Sequence, residues 1–282
     1  MTKAYADLHL HTVASDGTQT TDTLIRRAKA MALHCIAVTD HDIISPDLTS
    51  RMTSVHGMEV ITGVEVKAMF GDIAGELLGY FVDPNHAGLK ELLGPLATSR
   101  DERMMNMVKL CSEHLGIDIS YEEVLAESGG GNVGRPHLAR VLIEKGAVET
   151  FQEAFATLLG RDCPCYDAIK KPDFRDAIRI LKEAGGAVSV AHPCLMLVPD
   201  WDVFLSELKD AGVDGMESVY PYDPLARNLS IEPWLLAEKA TRRGFLVTGG
   251  SDDHGPGGKE SLGSVRLPYE RVEILKERAS CL

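Results

Sequence analysis

The chain contains no apolar run approaching the ~20 residues that a membrane-spanning helix needs, which argues against a membrane-embedded protein. No hydrophobic leader is expected. Met1-Thr2-Lys3-Ala4-Tyr5 leads straight into the first strand-like run, so a cytoplasmic protein is expected. Paired C-x-x-C spacing is missing too. The six cysteines, Cys35, Cys111, Cys163, Cys165, Cys194 and Cys281, are expected to be free thiols. Cys163-Pro164-Cys165 could suggest metal binding, but no second pair completes it. Positive charge is also scarce. Lys and Arg number 29 against 42 Asp and Glu, a formal net charge of −13. That argues against a large non-specific nucleic-acid footprint, which needs a basic surface. It leaves room for a small phosphorylated substrate, because bound divalent ions supply positive charge locally. Internal repeats and low-complexity tracts are absent.

What is present is enough for a large core: 282 residues, 44% of them hydrophobic. Short apolar runs alternate with helical patterns, the mark of an α/β fold with a largely parallel sheet. Strands are expected near Ala4–Leu10, His34–Val38, Val60–Lys67, Ala74–Val82, Ala187–Ala191, Gly215–Val219 and Phe245–Thr248. Helices are expected near Thr21–Met31, Asp173–Ala184, Trp201–Ala211 and Leu229–Arg243, the first with Thr20, Thr21 or Asp22 as its cap. The middle of the chain differs. Between about Ala87 and Asp167 there are helical patterns and few strand signals. Leu92, Leu96, Met104, Met107, Val108 and Cys111 suggest one or two apolar stripes. Helices at Arg135–Glu144 and Glu149–Leu159 follow a Gly-rich turn. The expected organisation is a barrel from residues 1–86 and 168–282, with residues 87–167 inserted as a helical lid or substrate subdomain.

Clusters of histidine and acidic residues sit at or just past the ends of the apolar runs. They are His9-Leu10-His11 with Asp16, Asp40-His41-Asp42, Glu65, His192, and Asp252 with His254. Strand ends on one rim of a closed parallel sheet are where residues distant in sequence can meet. Imidazoles mixed with carboxylates are what Zn, Mn and Fe sites use. His9 and His11, two apart on a strand, point to one face and can grip one ion together. Asp252 and His254 repeat that spacing. Glu65 lies among β-branched residues, where a carboxylate is costly unless compensated. Asp40 or Asp42 could orient the His41 ring. Each residue also has a bland reading: a turn aspartate for Asp16, an ion pair for Glu65, a structural imidazole for His192.

The order His-x-His, Asp, Thr-Asp-His, Gly-Val-Glu, Ala-His-Pro and Gly-Ser-Asp-x-His resembles the polymerase and histidinol phosphatase (PHP) family of the amidohydrolase superfamily. The resemblance covers nearly the whole chain. It implies a distorted (β/α)7 barrel with a mainly helical inserted subdomain, and two or three divalent metal ions (Mn, Fe or Zn). Carried over by position, His9, His11, Glu65 and Asp252 would hold one ion, and Asp16, His41 and His254 a second. Glu65 would bridge to a third shared with His192. The family usually places a histidine just before a Leu-Leu-Gly segment for that third site, whereas this chain has Glu76 there. Glu76 can still ligate through oxygen. Gly134-Arg135-Pro136-His137 resembles the small-molecule members, in which an Arg and a His from the insert lie near the substrate phosphate. The alternatives are a solvated helix start for Arg135 and a packed helix residue for His137. After Ala-His-Pro, relatives often carry Gly-Arg, but here Cys194-Leu195 follows. Arg161, Lys170, Lys171 or Arg227 could substitute for the missing contact.

The resemblance implies a metal-dependent phosphoesterase working through a metal-activated hydroxide, with Asp252 or His254 assisting as proton carrier. Nucleoside 3′,5′-bisphosphates, phosphoribosyl cyclic phosphates and short RNA 5′ ends are the substrates it suggests. The acidic composition favours a compact substrate over long nucleic acid. A 5′-3′ exoribonuclease acting on short RNA is an alternative within the same class. A non-catalytic metal- and phosphate-binding module is an alternative from another class, as is hydrolysis of a C–N bond.

Overall fold

The apolar runs of the sequence assemble into one curled sheet. The computed structural model describes residues 4–168, 171–222, 229–256 and 261–279. Lys170, Arg227 and Cys281 lie outside the described residues. In chain order the elements begin with β1 (Tyr5–Asp7), α1 (Thr21–Ala30), β2 (Cys35–Val38), β3 (Met52–Val55), β4 (Met58–Phe70) and β5 (Ile73–Tyr80). The helices α2 (Ala87–Leu115), α3 (Tyr121–Glu127), α4 (Arg135–Glu144) and α5 (Phe151–Ala154) follow, the last continuing as a π turn over Phe155–Leu159. The chain then returns to alternation with α6 (Phe174–Glu183), β6 (Ala187–Val190), α7 (Trp201–Asp210), β7 (Gly215–Val219), α8 (Pro233–Arg242) and β8 (Leu246–Gly249). It finishes with β9 (Leu267–Pro268) and α9 (Glu270–Arg278).

The strand order is β8-β7-β6-β5-β4-β2-β1-β9, with β3 paired on β4. The barrel closes between β8 and the residues that follow β1. The Leu8 N–H donates to Gly249 O at 3.3 Å, and Leu10 forms a parallel bridge to Asp253. The result is the α/β barrel expected, nearly closed, with β5 reversed within it and the short β3 and β9 added antiparallel on β4 and β1. β5 runs antiparallel to both β4 and β6, while β1–β2, β2–β4, β6–β7 and β7–β8 are parallel. Strands β3 and β9 and helix α9 were not anticipated from the sequence.

Local chemistry explains the helix positions. Thr20 caps α1 by accepting from the Thr23 N–H, and Leu24, Ile25 and Ala28 bury one face against β2 and β4. Asp173 caps α6 by accepting from the Arg175 N–H. The spacing of Phe174, Ala177, Ile178 and Leu181 gives α6 one continuous apolar stripe against the sheet. Helix α2 is single and long, running through Pro95, and its buried residues recur every three or four positions. Leu89, Leu93 and Leu96 belong to the barrel core. Met104, Met107, Val108 and Cys111 belong to a second core shared with α3, α4 and the π turn. Between these two apolar stretches the stripe carries Arg100 and Arg103, both buried. The five described cysteines are free, as expected. Among the described residues no helix is long and apolar enough to cross a membrane.

Candidate metal centre

At the C-terminal ends of the parallel strands the polypeptide turns sharply, and those turns carry most of the histidines and carboxylates, while Glu65 and Glu76 project from within β4 and β5. His9 and His11 extend β1, and His41 follows β2, bridged to Glu65 of β4. His192 follows β6, and Asp252 and His254 follow β8. Asp42, His192 and Asp252 have positive φ values of 53°, 27° and 57°. Asp and His enter this region more readily than most residues, and such backbone gathers at functional sites. Gly250 lets the β8 turn close over β1. A Cβ there would lie 2.3 Å from the His9 Cβ and 2.4 Å from its N.

The candidate ligands converge as the sequence suggested. His11 Nε2 lies 3.0 Å from Asp252 Oδ1, and His9 Nε2 lies 3.3 Å from the same oxygen. Glu65 Oε2 is 3.4 Å from His9 Nε2, 3.5 Å from His11 Nε2 and 2.8 Å from His41 Nδ1. Its other oxygen, Oε1, is 3.1 Å from His192 Nε2. Asp16 sits 3.3 Å from His254 Nε2 and 3.8 Å from His41 Nε2. Glu76 joins this group, 3.1 Å from His192 Nε2 and 4.0 Å from His41 Nδ1.

Three sets have ligand atoms lying within 4.8 Å of one another: His11, Asp16, His41 and His254; His9, His11 and Asp252; and His41, Glu65 and Glu76. Within this cluster His9 Nε2, both ring nitrogens of His11, His41 Nδ1 and Glu65 Oε2 are buried and make no hydrogen bond. Buried polar atoms without partners are costly. Lone pairs of nitrogen and oxygen aimed at common points are what divalent ions require, so these residues fit such ions.

Neighbouring groups set the ring tautomers. His9 Nδ1–H donates to both oxygens of Glu217 at 3.1 Å, which leaves Nε2 facing the centre. His254 Nδ1–H donates to the Asp252 carbonyl at 2.8 Å, which leaves Nε2 facing Asp16. Burial and the charges of His254 and His41 push the His11 imidazole down to about 4, so it is neutral and able to ligate. The Asp16 carboxyl is held well below its usual range, against burial, by His41 and His254. Burial opposes a charged His254, yet Asp16 and Asp252 raise it to about 10.

Several supporting residues escaped the sequence reading. Glu217 is fully buried on β7 and also accepts the His192 N–H at 2.8 Å. Its setting in Gly215-Met216-Glu217-Ser218-Val219 carries the same signal that singled out Glu65: a carboxylate inside an apolar strand. Tyr220 O–H donates to Asp252 Oδ2 at 2.9 Å. Asp40 and Asp42 do other work than orienting the His41 ring. Asp40 accepts from the Thr12 N–H, the Thr12 hydroxyl and the Ser15 hydroxyl, each at 2.7 Å, and so fixes the loop that bears Asp16. Asp42 pairs with the Arg100 guanidinium and accepts the Lys67 N–H at 3.0 Å. His41 is placed instead by its neighbours Glu65 and Asp16.

A basic group flanks the acidic centre. Arg135 begins α4, whose cap Gly134 lies beside Asp16: a Cβ on Gly134 would be 3.5 Å from Asp16 Oδ2. The Arg135 guanidinium donates to Leu159 O at 3.1 Å and lies over the rings of Phe155 and Tyr166. Arg103 donates to Asp167 O at 2.7 Å and lies over the Tyr166 ring as well. Among the described residues neither arginine has a carboxylate within ion-pair distance. Burial and the nearby charge of Arg135 bring Arg103 down to about 10. Lys171 also belongs to this neighbourhood, its ammonium destabilised by burial and by Lys67, Arg161 and Arg103. His137 is buried, and its Nδ1 accepts the Gly134 N–H at 2.9 Å, which leaves the proton on Nε2. Burial pushes this imidazole down to about 4, so it is a neutral donor.

Residues 7–161 match the PHP domain family. The chain is 30% identical over 266 residues to a 5′-3′ exoribonuclease of Haemophilus influenzae, covering 93% of this chain and 94% of the relative. It is 28% identical to the 3′,5′-nucleoside bisphosphate phosphatase of Chromobacterium violaceum, over 90% of this chain and 88% of the relative. A crystal structure from Bifidobacterium adolescentis, of a candidate metal-dependent phosphoesterase, superposes with a TM-score of 0.86 at 29% identity. That match covers 100% of this chain and 98% of the other. A nearly closed α/β barrel with a clustered His/Asp/Glu centre on its rim, shared with such relatives, defines a metal-dependent phosphoesterase. The chain belongs to the PHP domain family.

Proposed function

We propose that the protein hydrolyses a small phosphorylated sugar or nucleotide that carries a second anionic group. Nucleoside 3′,5′-bisphosphates are the leading class and phosphoribosyl cyclic phosphates the next. The observation that carries this reading is the pairing of a ligand cluster rich in orphaned lone pairs with two arginines, the buried Arg103 and the half-buried Arg135, that lack a carboxylate partner among the described residues. A buried guanidinium satisfied only by carbonyls and aromatic rings is an anion receptor in waiting, suited to bidentate phosphate contact.

In this reading His9, His11, Glu65 and Asp252 hold one divalent ion, and Asp16, His41 and His254 another, with Mn, Fe or Zn as the metal. Glu65, His192 and Glu76 border a third position, where the family resemblance would put a further ion and where Lys67 also reaches Glu76. Bound ions of this kind lower the pKa of a water and neutralise phosphoryl oxygens. The chain's own residues do the rest. Glu217 and the Asp252 carbonyl fix the His9 and His254 rings. Asp40 fixes the loop of Asp16. Arg135, Arg103 and the Nε2–H of His137 orient the substrate from the insert. Asp252 or His254 assists in proton transfer to the leaving oxygen, with Tyr220 O–H holding the Asp252 carboxylate in place. Residues 87–167 act as a cover that brings the arginines over the barrel mouth and keeps bulk water out.

A second reading, exonucleolytic release of nucleotides from short RNA 5′ ends, is favoured by the full-length similarity to the Haemophilus exoribonuclease. A single panel separates the two. Phosphate or nucleotide release is followed on adenosine 3′,5′-bisphosphate, phosphoribosyl 1,2-cyclic phosphate and a 5′-phosphorylated dinucleotide, with Mn present and again with EDTA. The bisphosphate is expected to turn over fastest, with EDTA abolishing release. Faster turnover of the dinucleotide would favour the exonuclease, and no release from any of the three would overturn the phosphoesterase assignment.

A further inference from the structure

Glu76 stands where the family resemblance leads to the expectation of a histidine, and the strand opposite supplies a cation. β4 and β5 pair antiparallel, and their register sets Lys67 directly across from Glu76. Residues two apart on a strand share a face, so Lys67 follows Glu65 toward the same opening. Lys67 Nζ lies 3.2 Å from Glu76 Oε1. The other oxygen of that carboxylate lies 3.1 Å from His192 Nε2. The carboxylate that would complete a third ion site is therefore already divided between an ammonium and an imidazole. The ammonium is delivered from fixed backbone, because the Lys67 N–H donates to Asp42 Oδ1 at 3.0 Å and Asp42 is held in turn by Arg100. Its side chain is 24% exposed, so it also reaches the mouth of the site.

We infer that Lys67 takes the place of a third divalent ion: the centre holds two ions, and the Lys67 ammonium supplies the third positive charge from the Glu76 side. A divalent ion on Glu76 would face a like charge at contact distance, across a cross-strand pair whose register cannot slip without turning Glu65 away from the centre. The ammonium meets the same carboxylate with no such conflict. In the proposed reaction, Lys67 then faces a phosphoryl oxygen that an ion would otherwise meet. That last role rests on the phosphoesterase reading. The ion count does not.

The test is a count of bound Mn²⁺ on the metal-free full-length protein after titration and gel filtration. The wild type is expected to bind about two ions per chain, the number of a two-metal phosphoesterase centre. Lys67→Arg, which keeps the charge, and Glu76→Gln, which removes the carboxylate, are both expected to leave that count unchanged. Lys67→Met is expected to gain one further ion. A wild type with one ion more than this, a Glu76→Gln protein with one ion fewer than the wild type, or a Lys67→Met protein with no gain would overturn the inference. Thermal unfolding of each variant identifies a protein that has lost its fold. Should Lys67→Met be lost in this way, the wild-type and Glu76→Gln counts still decide. Absence of phosphate release with the expected ion counts would remove the phosphoesterase reading and leave the two-ion centre standing.

Discussion

At the scale of single residues, the centre depends on side chains that never need to touch an ion. Glu217 holds the His9 ring through both carboxylate oxygens and the His192 backbone through its N–H. Glu217→Gln keeps the shape and loses an acceptor and a charge. It is expected to weaken Mn binding by about 10–100-fold, read by competition with a chelator. Asp252→Asn removes a carboxylate close to both His9 and His11, and should lower turnover by about 100-fold or more while circular dichroism stays native. Retained turnover would contradict the ligand assignment. Asp7 offers a test of a different kind. It is buried beneath the β8 turn, accepting the N–H groups of Ser251 and Gly263, and burial lifts its carboxyl from 3.8 to about 6 despite those bonds. The folded protein therefore holds this proton more tightly than the unfolded chain does, and the ionised form is a penalty that appears as pH rises from about 4 to above 6. Against an Asp7→Asn variant, the wild type should lose up to about 3 kcal/mol of relative stability between pH 4 and pH 7, measured by urea unfolding.

At the scale of elements, the sequence was most legible where periodicity and capping agreed. Residues 215–219 become β7 and residues 135–144 become α4, with the bounds expected. Most of the His/Asp/Glu cluster was legible because its residues follow strand ends, so chain order alone suggested one rim, whereas Glu65 and Glu76 lie within β4 and β5. What escaped has physical reasons. β9 has two residues, one of them proline, and pairs only with the start of β1. α9 buries only Val272 and Leu275 within a charged helix, too sparse a stripe to stand out. Arg100 and Arg103 fall on the buried stripe of α2, in register with Leu96 and Met104. That registry was visible in the sequence, but reading only the apolar members of the stripe passed over it. Element packing also carries a prediction. Gly250→Ala places a methyl group against the His9 backbone, so it should cost metal affinity well before it costs the fold. Chelator competition and a melting curve, measured together, would show whether the two losses separate in that order.

At the scale of the whole molecule, charge is divided: a chain of net charge −13 presents an inner group of arginines and lysines beside an acidic metal cluster. A compact dianion can enter such a site, whereas a long polyanion must lie along the acidic exterior. Turnover of 5′-phosphorylated oligonucleotides is therefore expected to fall as length grows, and to recover partly in added salt, which screens the exterior more than the enclosed site. A length series at two ionic strengths checks this, and rates that rise with length would favour a processive nuclease.

Helix α2 has one further consequence. Its first half packs into the barrel core and its second half into a second core with α3 and α4, with Arg100 tied to Asp42 at the junction. A segment attached in this way is spliced into the barrel rather than hinged to it. Excising residues 87–167 would strip Leu89, Leu93 and Leu96 from the barrel wall and leave Asp42 buried without its cation. Exchanging residues 87–167 as a cassette would therefore disturb the barrel, whereas the loops between α2, α3 and α4 can change without removing a residue from the barrel core.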